Sequence, residues 1–278
     1  MSRSDEPTEA TMSNTDRATQ WLFRLGYGSI FLLLVAPVAV VVATSFNATA
    51  VVTFPPTDLS TRWYTAFFSQ QTWLRAVRNS LITASGTAVF STILGVAGAF
   101  GVRHLDRRTS VAITGLVLVP LLVPGVILGV ALLLFLSRFG LQQRLFTIVL
   151  AHALWATPLT FSVMRATFAR FDWHLQEAAM DLGAGRLRAF REVLVPNVLP
   201  GIVAAAAIGF VVSLQEFIMA LFLAGRETRT VPVESWLTLR NSLSPLVSVG
   251  SALLVVAVLV ALGIAATAIG IDRVAEET

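Results

Sequence analysis

Long uncharged stretches, separated by short polar segments, set the organisation of this chain. Residues 25–57 carry no charge at all. Further uncharged gaps lie between Arg78 and Arg103, between Arg108 and Arg138, and between Arg144 and Arg165. A fifth covers about 197–223 and is interrupted by Glu216, and a sixth occupies about 245–271. Each gap holds an apolar helix of about 20 residues, the length that crosses the hydrocarbon of a bilayer. The apolar residues run continuously and do not alternate, which argues for helices and against a β-barrel. The pattern predicts an all-α integral membrane protein with six transmembrane helices, the first near 25–46.

The segments between these runs complete the layout. Residues 1–19 are polar and mixed in charge, which predicts a disordered tail. The membrane domain is expected over 20–272, with a second short tail at 273–278. The first apolar run is too long for the core of a cleaved signal peptide, and no small-residue cleavage site stands out, so it reads as a retained span. Six spans put both termini on one side. With the termini in the cytoplasm, the Arg-rich segments 103–108 and 165–192 are cytoplasmic too, in the sense of the positive-inside rule. Residues 47–78 are then the longest external segment. Phe54-Pro55-Pro56 forces an extended turn there, and the following STRWYTAFF predicts a short amphipathic helix lying on the membrane surface.

Composition narrows the function classes. Apolar residues make up 55% of the 278 residues and charged ones 13%, with a mean hydropathy of +0.76. Soluble domains carry about 25% charged residues. There is no Cys, which excludes disulfides, thiolate catalysis and Cys-based zinc sites. There is no Lys either, and all 20 basic residues are Arg. A phosphate-binding Walker loop requires Lys, so work driven by ATP needs another subunit to bind the nucleotide. The net charge of +4 sits in short loops and reads as topology, with no nucleic-acid surface. His104, His152 and His174 show no metal-ligand spacing. No nucleophile elbow or acid–base pair is visible, so the chain offers no catalytic constellation.

A few residues carry possible chemistry. Glu216, within Ser213-Leu214-Gln215-Glu216, is an acid deep in an apolar run. An ionisable group at such a depth costs at least about 2.5 kcal/mol, so it faces a polar cavity or a partner. One reading makes Ser213, Gln215, Glu216 and Trp155 the wall of a substrate path. The other makes Glu216 a buried carboxylate paired to an Arg or a helix terminus. His152, on the fourth span with Trp155 and Pro158, reads as a packed, hydrogen-bonded residue. The third span holds Pro120, Pro124, Gly125 and Gly129, which predicts a kink and close helix contact, either lining a path or simply packing.

The stretch 175–196, LQEAAMDLGAGRLRAFREVLVP, lies between two apolar runs and differs from both. Ala and Leu favour helix and Gly breaks it. The pattern predicts a short helix, a turn at Gly183 and Gly185, and a second short helix ending at Pro196. It is either a solvated connection or a knuckle built to be gripped. Its spacing resembles the cytoplasmic loop of the permease subunits of ABC importers. Glu177-Ala178-Ala179 is followed by three residues and Gly183, and nine more lead to Val193-Leu194-Val195-Pro196. The segments Ser45-Phe46-Asn47, Phe54-Pro55-Pro56, Arg62-Trp63-Tyr64, Asn79-Ser80-Leu81 and Val231-Pro232-Val233 resemble one subgroup, the second permeases of spermidine/putrescine-type importers. Gln215 departs from it, standing where that subgroup often has an acid.

The resemblance implies a type I importer permease with a coupling loop at 172–196. Its docking residues would be Glu177, Ala178, Ala179, Asp181, Gly183 and Pro196. It also implies a second permease subunit, two ATP-binding subunits that hold ATP and Mg²⁺, an extracytoplasmic solute-binding protein, and no cofactor in this chain. The cargo it suggests is a polyamine. Opine-like amino acid derivatives, phosphonates and ferric iron are the alternatives. A secondary transporter would need several intramembrane acids, and Glu216 stands alone in the spans.

Overall fold

The computed structural model describes residues 14–241 and 244–270. Its elements in chain order are α1 (Asn14–Ser45), α2 (Arg62–Ser69), α3 (Gln71–Arg103), α4 (Arg107–Leu122), α5 (Gly125–Ser137) and α6 (Leu145–Arg170). They continue with α7 (His174–Asp181), α8 (Arg186–Ala189), a π-helical turn (Phe190–Leu194), α9 (Val195–Gln215), α10 (Ile218–Leu223), α11 (Val231–Asn241) and α12 (Pro245–Ile269). Five helices are long and apolar enough to span a membrane, and a sixth span forms if α4 and α5 are taken together.

Three of the expected boundaries change. The expected tail at 1–19 is helical from Asn14, where α1 begins, while residues 1–13 and the tail at 273–278 fall outside the described residues. The third span is no kinked rod. It breaks at Val123-Pro124 and turns by 97° between α4 and α5. The second helix of the knuckle does not end at Pro196 but runs on through the π-helical turn into α9. That turn shifts the hydrogen-bond pattern just before the proline, which has no N–H to donate.

The core is a three-helix contact of α3, α6 and α9. Lipid is as apolar as Leu, so helices in a bilayer associate through close packing and hydrogen bonds. Small residues make that packing possible. A methyl group on Gly95 would lie 2.8 Å from the backbone nitrogen of Phe161, so α3 and α6 touch backbone to backbone there. Beside that contact, Thr160 Oγ1 donates to the Ser91 carbonyl at 2.6 Å. Ala99, Phe161, Met164, Phe168, Leu194 and Val198 fill the end of the core nearest α7.

At the opposite end, α2 tucks Phe67 fully under Trp73, Val231 and Val249. The amphipathic helix expected at the membrane surface thus packs between α3 and α12. α1 differs from the rest. Residues 20–39 are exposed on every face, and its end is tied down by Thr44 to Ser248 at 3.2 Å and by Ser45 to Tyr64 at 2.7 Å.

Candidate functional site

The knuckle is rooted in the ends of α3 and α6. Trp173, just before α7, packs against Phe100, Phe168 and Phe171. Its indole Nε1 donates to the Phe168 carbonyl at 3.2 Å, and the Arg103 guanidinium lies 3.3 Å from its ring centre. Asp172 accepts the His174 N–H at 3.0 Å, satisfying one of the orphan donors at the start of α7.

The turn after α7 is closed by backbone geometry. Ala184 N–H donates to the Ala179 carbonyl at 3.0 Å, and Gly183 N–H to that of Met180 at 2.9 Å. This is a Schellman cap, with Gly183 in the left-handed region at φ +90°. A side chain at Gly183 strains that backbone, so the glycine follows from the turn.

What the turn presents is apolar. Leu182 is 90% exposed, the most open of the large apolar residues among those described, and Leu187 and Leu175 of the same knuckle are exposed too. Of the residues expected here, Glu177, Ala178, Asp181 and Gly183 are exposed, while Ala179 is half-buried. Glu177 Oε2 lies 3.3 Å from His174 Nδ1. Pro196 is exposed but belongs to α9, past the π-helical turn. A cavity of about 860 Å³ lies beneath the knuckle, lined among others by Phe100, Arg103, His104, Glu177, Arg186 and Phe190.

The second group of expected residues meets at the break between α9 and α10. Glu216 is 4% exposed and ends α9. Its carboxylate accepts the backbone N–H groups of Met219 at 2.9 Å and Ala220 at 3.1 Å, the first turn of α10. His152 Nε2, from α6, lies 3.0 Å from Glu216 Oε2, off the line of a full hydrogen bond. His152 Nδ1 bonds Ser213 Oγ at 2.7 Å. Ser213, His152 and Glu216 therefore form one buried chain of polar groups. Glu216 thus sits at a helix terminus, one of the two partners, Arg or helix terminus, that the second reading named, with His152 beside it. Gln215 next to it is exposed. Trp155 is half-buried and packs against the cluster that holds Ile148, Met219 and Ala220.

Sequence reasoning missed a polar cluster at the far end of the bundle. Arg75 pairs with Glu227, and Arg229 with Glu234 at 3.2 Å. Asn79 Nδ2 donates to the carbonyls of Glu227 and Arg229 at 3.0 and 2.9 Å, pinning the α10–α11 connection to α3. The uncharged gap that begins after Arg78 hid Asn79 and Ser80 inside what reads as a span.

Residues 91–274 match the family model described as "Binding-protein-dependent transport system inner membrane component". The putrescine transport system permease protein PotI of Escherichia coli (strain K12) is 31% identical over 222 residues, covering 77% of this chain and 79% of that protein. The spermidine/putrescine transport system permease protein PotC of the same strain is 24% identical over 232 residues, covering 84% and 88%. A bacterial ABC transporter involved in the import of the acidic polysaccharide alginate has a chain that superposes with a TM-score of 0.70 at 18% identity. That match covers 91% of this chain and 97% of the other. The MetNI methionine ABC transporter, in an inward-facing form, gives a TM-score of 0.58 at 19% identity, over 73% of this chain and 94% of that one. At these identities the structural matches carry the fold alone. The family match spans well over half the chain and takes in the end of α3, all of α6 and α9, and the knuckle. The chain belongs to the binding-protein-dependent transport system inner membrane component family and is a permease subunit of a type I ABC importer.

Proposed function

We propose that the knuckle at 172–196 docks into a cleft on a separate ATP-binding subunit and carries its motion into the helix bundle. The observation that supports this most is Leu182, held open to solvent on a turn whose root is packed into the ends of α3 and α6. An apolar side chain on a stiff base suits a partner's pocket and transmits force. The assembly comprises this chain, a second and different permease, two subunits holding ATP and Mg²⁺, and an extracytoplasmic binding protein. Both termini and the knuckle face the cytoplasm. ATP shifts the bundle between inward-open and outward-open states because it binds one state of the assembly better than the other.

The cargo that the relatives favour is a polyamine, since PotI and PotC are described as putrescine and spermidine/putrescine permeases. In this reading Gln215 and Trp155 face the path, and Ser213 and Glu216 shape it from behind. One observation favours, among the alternatives, a solute that is not a polycation, such as an opine-like amino acid derivative or a phosphonate. Glu216, the one acid in the apolar run 197–223, is engaged by His152 and α10, leaving no free carboxylate there to meet a polycation. ATPase stimulation in liposomes decides between them. The reconstituted importer is given its binding protein loaded with putrescine or spermidine. Stimulation supports polyamine transport; stimulation only by another loaded solute removes polyamines and keeps the permease.

A further inference from the structure

A second cavity, of about 470 Å³, opens at the knuckle end of the bundle between α3, α4 and α6. Arg103 ends α3, Arg107 begins α4, and Arg165 comes from the last turns of α6. All three line the cavity, with the Ser110 hydroxyl and apolar walls from Leu105 and Phe168. Among the described residues, none of the three guanidinium groups pairs with a carboxylate. The acid next in sequence, Asp106, is already engaged, accepting from Arg108 N–H, Thr109 N–H and the Thr109 hydroxyl as the cap of α4.

Two of the cations are held in place. Arg103 lies over the Trp173 ring, and Arg165 Nη1 donates to Thr114 Oγ1 at 3.1 Å. Each guanidinium has five N–H donors, so both keep donors to spare. Arg that serves only to fix topology reaches separately into water. Here three converge on one concavity, and none is paired with an acid among the described residues. The surface leading away from it is apolar. α4 buries none of its residues, and Val111, Leu116 and Val119 stand exposed along it.

We propose that this cavity is a binding site for an anionic phospholipid. The guanidinium groups and Ser110 hold the phosphodiester, and the acyl chains lie along α4. The apolar face of α4 commits the site to a lipid, because a free phosphate has no use for it. Arg103 lines both this cavity and the one beneath the knuckle, so a bound headgroup braces the knuckle's root. The site is independent of what the knuckle docks to, and its test reads lipid binding alone.

Native mass spectrometry of the detergent-purified importer, titrated with dioleoyl phosphatidylglycerol or dioleoyl phosphatidylcholine, makes that test. The expected result is preferential binding of phosphatidylglycerol that millimolar inorganic phosphate does not displace. At about 1 kcal/mol per interfacial Arg, the double variant Arg107→Gln/Arg165→Gln should bind phosphatidylglycerol about thirtyfold more weakly. The single variant Arg107→Gln, which removes a side chain with no hydrogen bond or ion pair among the described contacts, should lose about fivefold and keep the fold. Phosphatidylcholine binding should not change in either. Equal affinity for the two lipids, or unchanged phosphatidylglycerol binding by Arg107→Gln, overturns the proposal. Displacement by inorganic phosphate overturns it as well, in favour of a free-anion site.

Discussion

The turn at Gly183 and the break at Glu216 both interrupt helices, and each inverts the usual rule of burial. At the first, Leu182 is 90% exposed; at the second, Glu216 is 4% exposed. The difference lies in who completes them. Glu216 finds its partners inside the chain, in His152 and the first amides of α10. Leu182 finds none among the described residues, and the docking proposed above would have another subunit cover it. In that proposal, an inversion satisfied internally is architecture, and one left open is an interface.

The largest effect expected from breaking this contrast is at Gly183. Gly183→Asp puts a side chain at φ +90° and a charge beside the apolar tip. Transport should be lost and ATP hydrolysis uncoupled from it, with membrane insertion intact by protease mapping; wild-type uptake would sink the docking claim. Next comes Glu216→Ala, which orphans two buried amides and His152. It should destabilise the protein by about 3–5 kcal/mol, read as a fall in thermal unfolding temperature in detergent. Glu216→Gln keeps an acceptor oxygen and should cost about 1 kcal/mol, with uptake near wild type. A stable E216Q protein that no longer transports would return Glu216 to the substrate path.

Leu182→Ala sharpens the comparison from the other side. It removes most of a side chain that is already in solvent, so folding stability should hold. If docking buries it, ATPase affinity should fall by about 1.5–3 kcal/mol, at least tenfold, in a pull-down titration. The smallest effect concerns the cap of α4. The Thr109 hydroxyl first, and then its backbone N–H, hold the Asp106 carboxyl below the ordinary carboxylate range. A lowered native pKa contributes stability that is present above the ordinary Asp range and lost as pH falls through the lowered value. Amide protection at Arg108 and Thr109 should therefore persist at neutral pH and fade only in strong acid.

The spans and the turn were legible in the sequence because both rest on local pattern. Uncharged length marks a span, and a glycine after EAA marks a left-handed cap. The fate of the prolines was not legible. Pro120 and Pro124 have the same spacing as Pro196 and Pro200, yet the first pair ends in a 97° break and the second lies within a continuing helix. Packing separates them. α4 buries no residue, whereas α9 is clasped between α3 and α6 and enters through a π-helical turn that accommodates Pro196. The partner of Glu216 was hidden for a similar reason. His152 sits on another span, and only the folded bundle brings it to Ser213 and Glu216.

The absence of Cys from the sequence allows the most direct test of the central claim. Leu182→Cys and, as a control, Leu122→Cys each introduce a single thiol at an exposed apolar position, one on the knuckle and one at the end of α4. A short bifunctional thiol–amine reagent is then applied to membranes containing the whole importer. Docking predicts a covalent adduct between the Leu182→Cys chain and the ATP-binding subunit, and none from Leu122→Cys. No adduct from Leu182→Cys in an importer that still transports, or equal adducts from both positions, would contradict it.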